Sequence, residues 1–519
     1  MKERGVGNQS GPPGVYLTMR YLMRAGVVAL VVVAGAGARA QSPVLPVEVF
    51  LQAASLDERE ASAALDQIAA QWQNTYTAMI IDMARLLRPA TAPVDDPAAP
   101  EFAGGFDDGE PDVRDSRRRT ALGQTVRRPP SRESRARQRL VRFLERQTGK
   151  RFDPQLRDWR RWMWSLPYEP HPDYARFKGL VYGRVDAHMA RFFPPGVTSL
   201  IRLDEVDWGG VTVNGIPPLY YPKVLPAAAA SYLRDGHVVF GLVVNGEARA
   251  YPKRILAWHE MARDRVGGVE LHVVYCTLCG TVIPYDSVAA NRTWRLGTSG
   301  LLYRSNKLMF DEDTGSLWST LEGRPVIGEL ANRGIQLQSR PVVTTTWGEW
   351  KALHPETTVL SLDTGHQRDY SEGAAYRDYF SHDDLYFQVP DVDRRLKNKA
   401  EVLTLKVRST DGTTVPVAVA QALLRRSLVY PLEVAGRRFL IVTSRRGANR
   451  VYALGSSDVV FETAGRRAGA DVRDGQGRAW QVSEEAVTGP DGVTLPRVSA
   501  QRGFWFGWRA QYPDTRLVK

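Results

Sequence analysis

The sequence predicts a mainly β protein with short helices (α+β), built as two related β-rich modules behind a helical N-terminal region. Three observations predict it. From about residue 199, short β-branched and aromatic runs are bounded by turn residues. A tryptophan-centred motif occurs twice in that half. Before it, apolar residues recur at helical spacing. At 519 residues the chain has length for two to four domains. With 43% hydrophobic and 24% charged residues, it is neither a wholly disordered chain nor a polytopic membrane protein. Two cysteines, Cys276 and Cys279, exclude a disulfide-stapled small scaffold.

Residues 1–40 read as a signal peptide. Arg20 and Arg24 form a basic n-region, Ala25 to Ala36 an apolar run, and Ala38-Arg39-Ala40 an A-x-A cleavage site before Gln41. The expectation is export, to the periplasm or as a secreted protein, with an uncleaved N-terminal membrane anchor as the alternative. Residues 41–88 form a helical segment on the period of Leu51, Leu56, Leu65, Ile68, Trp72, Met79, Met83 and Leu86, ended by Pro89. Residues 89–134 are a Pro-rich, basic, disordered linker. The net charge of +12 concentrates here: residues 114–150 hold thirteen basic residues against three acids. So local an excess reads as a solvated segment, with an anionic envelope surface as its possible partner and no nucleic acid. Residues 135–198 form a Trp-rich helical region, in which Trp159, Trp162, Trp164, Tyr168, Phe177 and Tyr182 pack on the next domain.

The first β-rich module spans 199–399 and the second 400–519. Trp347-Gly348-Glu349-Trp350 returns as Trp505-Phe506-Gly507-Trp508, each followed by a basic residue, Ala and a Pro-acid-Thr sequence. Upstream, a constant offset carries Ala250 onto Ala418, Leu256 onto Leu424 and Gly268 onto Gly436. An internal duplication explains both. The same offset carries Cys276 onto Ser444, His259 onto Ser427 and Cys279 onto Gly447, so the second copy is degenerate where chemistry would be.

Cys276-Thr277-Leu278-Cys279-Gly280 lies between two strands. A thioredoxin-type dithiol opens a helix, whereas a strand–turn–strand corner resembles a metal knuckle. With no other cysteine, further ligands must be His, Met or carboxylate. His259, on a short helix opened by Pro252 and closed by Gly267-Gly268, is the expected imidazole, with Glu260 and Trp258 beside it. Met309 offers a thioether. This set favours copper over zinc by ligand softness. His272, four residues before Cys276, is more distant along the strand. Tyr275, Ser299, Tyr303, Asn306, Asp311, Ser316 and Trp318 are expected around the site or in a polar pocket near it. No G-x-S-x-G elbow, P-loop or H-E-x-x-H is present.

The cofactor is therefore a copper or zinc ion, or none, and the sequence does not decide whether the protein is an enzyme. Three functions stay open: metal binding, for redox or metal handling; thiol–disulfide exchange through the same cysteines; and non-catalytic binding of envelope polysaccharide. An inert disulfide is the plain alternative at the cysteines.

The blocks Trp208-Gly209-Gly210, Ala248-Arg249-Ala250-Tyr251-Pro252, Trp258-His259-Glu260, Tyr275-Cys276-Thr277-Leu278-Cys279-Gly280-Thr281, Ser299-Gly300-Leu301-Leu302-Tyr303, Ser316-Leu317-Trp318-Ser319 and both tryptophan repeats resemble a bacterial family catalogued as domain of unknown function 3179 (DUF3179). The resemblance runs over about 199–519. It implies that the cysteine corner is the family's site and supplies no reaction. It also implies an apolar residue where His272 stands, which removes His272 from the ligand set.

Overall fold

A computed structural model describes residues 44–87, 131–152, 155–462, 464–465 and 472–519. The expected signal peptide and nearly all of the expected linker lie outside the described residues. No described helix is long and apolar enough to cross a membrane.

The N-terminal region is helical, but residues 47–86 form three helices: α1 (Val47–Ala53), α2 (Glu58–Ala70) and α3 (Tyr76–Leu86). The apolar period conceals the breaks. Leu56 belongs to the first break and is exposed. The adjacent Asp57 ends the turn by capping α2, accepting from the Arg59 and Glu60 amides at 2.8 and 3.0 Å. Helix α4 (Arg132–Thr148) starts inside the expected linker, with Ser131 as its cap. The part of the basic segment that is described is thus mostly helix, with Arg137 and Arg139 packed inward and Arg132, Arg135, Arg142 and Lys150 exposed. The buried Arg137 donates to the Ala84 and Leu87 carbonyls at the end of α3, and Arg139 donates to Ser55 O. These arginines satisfy carbonyls that a helix end leaves open.

Helices α5 (Arg157–Ser165) and α6 (Tyr174–Tyr182) bury Trp159, Trp164, Phe177 and Tyr182. One apolar cluster runs from these helices through Val206, Leu301, Phe310 and Ile327, so the helical region packs on the first β region. A buried charge group pins the seam. Lys178 pairs with Asp82 at 2.8 Å, and Asp207, on the strand Val206–Trp208, pairs with Arg85 and Arg160.

The rest of the chain is mainly β. In its first half, one sheet orders its strands Val343–Thr346, Val238–Val244, Glu247–Pro252, Thr358–Leu360 and Val224–Pro226. In the second half, Gln501–Phe504, Glu401–Arg408, Thr414–Ala420 and Arg516–Val518 follow the order of the first four. In both, two antiparallel pairings are followed by one parallel pairing. Helix α7 (Lys253–His259) leaves the first sheet, and α8 (Trp347–Leu353) follows its edge strand. Helix α9 (Arg377–Ser381) lies in the connection between halves. In the second half, α10 (Gln421–Leu424) and α11 (Trp505–Gln511) take the places of α7 and α8. Trp350 donates its indole N–H to Thr357 Oγ1 at 2.9 Å, and Trp508 donates to Thr515 Oγ1 at 2.8 Å. The topology therefore repeats; descent by duplication is an inference carried by the sequence repeat.

Each half also contains a meander. Met261–Val266, Val269–Cys276 and Thr281–Asp286 pair in succession, as do Ser427–Val434, Arg437–Thr443 and Asn449–Ala453. Met261–Val266 corrects the expectation that the helix after Pro252 runs on to Gly267-Gly268. That helix stops at His259 because Glu260 adopts a left-handed conformation, φ 55°, and turns the chain into a strand.

Candidate functional site

Cys276 ends one meander strand, pairs with Thr281 across the turn, and forms a disulfide with Cys279; their Cα atoms are 5.5 Å apart. Gly280 closes the corner at φ 64°, a conformation that suits glycine. A Cβ there would also meet the Phe504 ring at 3.0 Å. The expected strand–turn–strand placement is present, and the sulfurs are bonded to each other.

The corner is sealed. Cys276 and Cys279 are 0% and 1% exposed. Phe504 donates its amide to Cys279 O at 2.8 Å, and Tyr379 donates its hydroxyl to Leu278 O at 2.7 Å. A Cβ placed on Gly507 would lie 2.6 Å from the Cys279 Cβ, so α11 rests its backbone on the disulfide. Leu302, Leu385, Phe387 and Phe506 complete the apolar shell.

Beside this shell, Glu260, held under the strand by its φ, accepts at its backbone carbonyl from the Tyr275 amide at 2.8 Å and from Lys307 Nζ at 3.0 Å. Its carboxylate accepts from Tyr376 OH at 3.2 Å and lies 3.4 Å from Lys307 Nζ. Burial lowers the Lys307 pKa, and Glu260 opposes the shift. Burial likewise raises Tyr275 and Tyr376, with Glu260 adding to both.

His259 is fully buried and spends both ring nitrogens on protein. Pro217 O can only accept, so Nδ1–H donates to it at 2.8 Å, and Nε2 accepts from Tyr370 OH at 2.5 Å. Burial drives its pKa down to about 4, so the ring is neutral. Nε2, the nitrogen with a lone pair, faces Tyr370, and the His366 ring lies 5.2 Å from the His259 ring. Met309 is buried in another cluster, with Met261, Val274, Ile283 and Trp318. The expected Cys, Cys, His and Met are therefore not brought to one point. Among the described residues, no three His, Cys, Asp or Glu side chains converge on a metal-sized position.

The remaining expected residues divide. Tyr275 lies next to the cysteines in sequence and packs on Phe240. Asn306 reaches the corner's cover, donating to Gly507 O at 3.1 Å, and its buried Oδ1 has no partner. Tyr303 sits beside Arg304 and Glu205. Trp258 donates to Asp369 O at the surface side of α7. Ser299 bonds to Leu308 O and the Leu301 amide within a strand irregularity. Asp311 accepts from the Thr314 amide and Trp318 Nε1, and Ser316 bonds Thr314 and the Leu330 amide. That group closes a tight turn. His272, buried, bonds Trp294 O.

Sequence reasoning missed Lys307, Tyr376, Tyr379, Phe504 and Gly507. A lysine in the otherwise apolar run Leu308-Met309-Phe310 was the one available signal for Lys307. The others approach from 100 to 230 residues away, and no local pattern marks them.

No curated protein and no solved structure matches the chain. The profile of the family described as "Protein of unknown function (DUF3179)" matches residues 213–515, well over half of the sequence, and takes in the cysteine corner, its cover and both tryptophan helices. The chain belongs to the DUF3179 family.

Proposed function

We propose that Cys276 and Cys279 are a redox couple: the disulfide accepts two electrons and two protons from a thiol reductant and returns as two thiols. The observation that supports this reading is a bond between residues three apart in a sealed corner. So small a loop restrains the unfolded chain little, about 2 kcal/mol on the loop-entropy account. As a staple it contributes less than the packing around it, so a chemical role explains the pair better. The sealed surroundings favour a small thiol, or a partner that first displaces the cover. The oxidising setting this needs agrees with export to the periplasm or beyond.

Metal binding, copper before zinc, is the second reading. Its support is the corner itself, which on reduction would present two thiolates on one side of a hairpin. His259 would have to give up Tyr370 to join them.

The test is equilibration of the native protein in thiol buffers, trapping free thiols by alkylation and reading mass. The expected result is reversible reduction without unfolding, at a potential between about −120 and −270 mV, the span of exchange proteins. Reduction only on unfolding, or a potential below about −300 mV, would mark a structural bond and overturn the reading. One equivalent of copper or zinc held by the reduced protein, and lost in Cys276→Ser, would transfer the assignment to metal binding.

A further inference from the structure

The second half carries a cleft at the position that the first half seals. It lies between α8 and the turn Ser444–Gly447, the counterpart of the cysteine corner, and has a volume of about 690 Å³. That is the size of a small-molecule site. Its apolar wall includes Leu353 and Val482, which are 56% and 38% exposed.

The polar groups are unevenly satisfied. Glu484 is spoken for: Arg450 and Arg497 both pair with it and hold its carboxyl well below the usual range. Arg445 and Arg446, at the tip of the turn, are exposed and form no ion pair among the described residues. On the facing helix, Glu349 Oε2 is buried with no hydrogen-bond partner. His354 Nε2 is also without a hydrogen bond, 3.7 Å from Glu484. Two exposed guanidinium forks thus stand on one wall and, on the other, a carboxylate oxygen with no hydrogen bond whose charge also acts on Arg450 and Arg502, with apolar surface between. A buried acceptor without a partner is costly, and a ligand that donates to it relieves the cost.

We propose that this cleft binds a small amphipathic carboxylate that also carries a hydrogen-bond donor. The carboxylate pairs with Arg445 and Arg446, the apolar body covers Leu353 and Val482, and the donor meets Glu349 Oε2. A multiply charged phosphate fits less well, because Glu349 repels it and the wall is apolar. The site is independent of the cysteine couple.

Indole-3-acetate is a suitable probe, having a carboxylate, an apolar ring and one N–H. Titration calorimetry on the full chain should give saturable binding, weakened at least about 10-fold, or 1.4 kcal/mol, in the Arg445→Ala/Arg446→Ala double variant. 3-Methylindole, without the carboxylate, should bind at least about 10-fold more weakly than the probe. Glu349→Ala should weaken the probe but leave 1-methylindole-3-acetate, which lacks the N–H, unchanged. Both arginines are exposed and unpaired, so the double variant should keep the parent's unfolding temperature. No saturation up to about 10 mM, equal binding of 3-methylindole, or undiminished binding in the double arginine variant would overturn the proposal.

Discussion

The cysteine corner and the Ser444 corner occupy the same place in two three-stranded meanders, yet one is closed and the other open. The difference is set by what faces each turn. Gly507 of α11 lets backbone come down onto Cys279, whereas the matching residue of α8 is Glu349, which lines a cleft between that helix and its turn. A sealed cysteine corner in one half has an open cleft as its counterpart in the other. A repeated fold thus fixes where a site can be, and the facing helix decides what kind of site it is.

The largest test of that contrast is pH. His259 and His272 are buried in the first half at about 4, and their counterparts are Ser427 and Leu440. Between about pH 6.5 and 4 the unfolded state binds more protons than the folded one, so stability falls as pH drops. Each histidine contributes at most about 1.4 kcal/mol per pH unit. Hydrogen exchange should show the 259–286 strands losing protection through that window while 427–453 keep theirs. Equal losses in both would break the comparison.

Next comes Gly507→Val. Its added atoms meet Cys279, and overpacking should cost about 1–3 kcal/mol in denaturant unfolding. Glu349→Ala, at the matching position, should stay within about 0.5 kcal/mol. A similar cost at both would mean that the turns are equally packed. Tyr379→Phe leaves the Leu278 carbonyl buried and unpaired, for about 1–3 kcal/mol. It should also speed alkylation of the reduced cysteines, and an unchanged rate would show that Tyr379 is not part of the seal. The smallest effect belongs to Arg445→Ala/Arg446→Ala, within about 0.5 kcal/mol of the parent, because neither side chain supports the fold.

The sequence made the hairpin around Cys276 legible, because alternating apolar runs and a Gly turn are local signals. It also exposed the tryptophan helices, because Trp350 and Trp508 need a threonine seven residues on and the spacing recurs. The surroundings of His259 come from a turn that no local pattern carries. Its helix ends at a left-handed glutamate, and the chain turns so that the ring meets Pro217 and Tyr370. Asp311 and Ser316 bond within a tight turn, which the sequence did not show because small polar groups mark both pockets and turns. The helix breaks near Leu56 and Gln71 escaped because buried apolar residues recur in the helices on both sides of each break.

The rest of Gly507 against Cys279 has a bearing on the order of synthesis. A chain emerging from the ribosome N-terminus first displays both sulfurs long before α11 exists to hide them. During that interval the thiols are as reachable as any in an open hairpin, and an oxidant needs no gate. Once α11 docks, a reagent must pass or displace it to reach the pair, so first oxidation during biogenesis is easier than any later exchange.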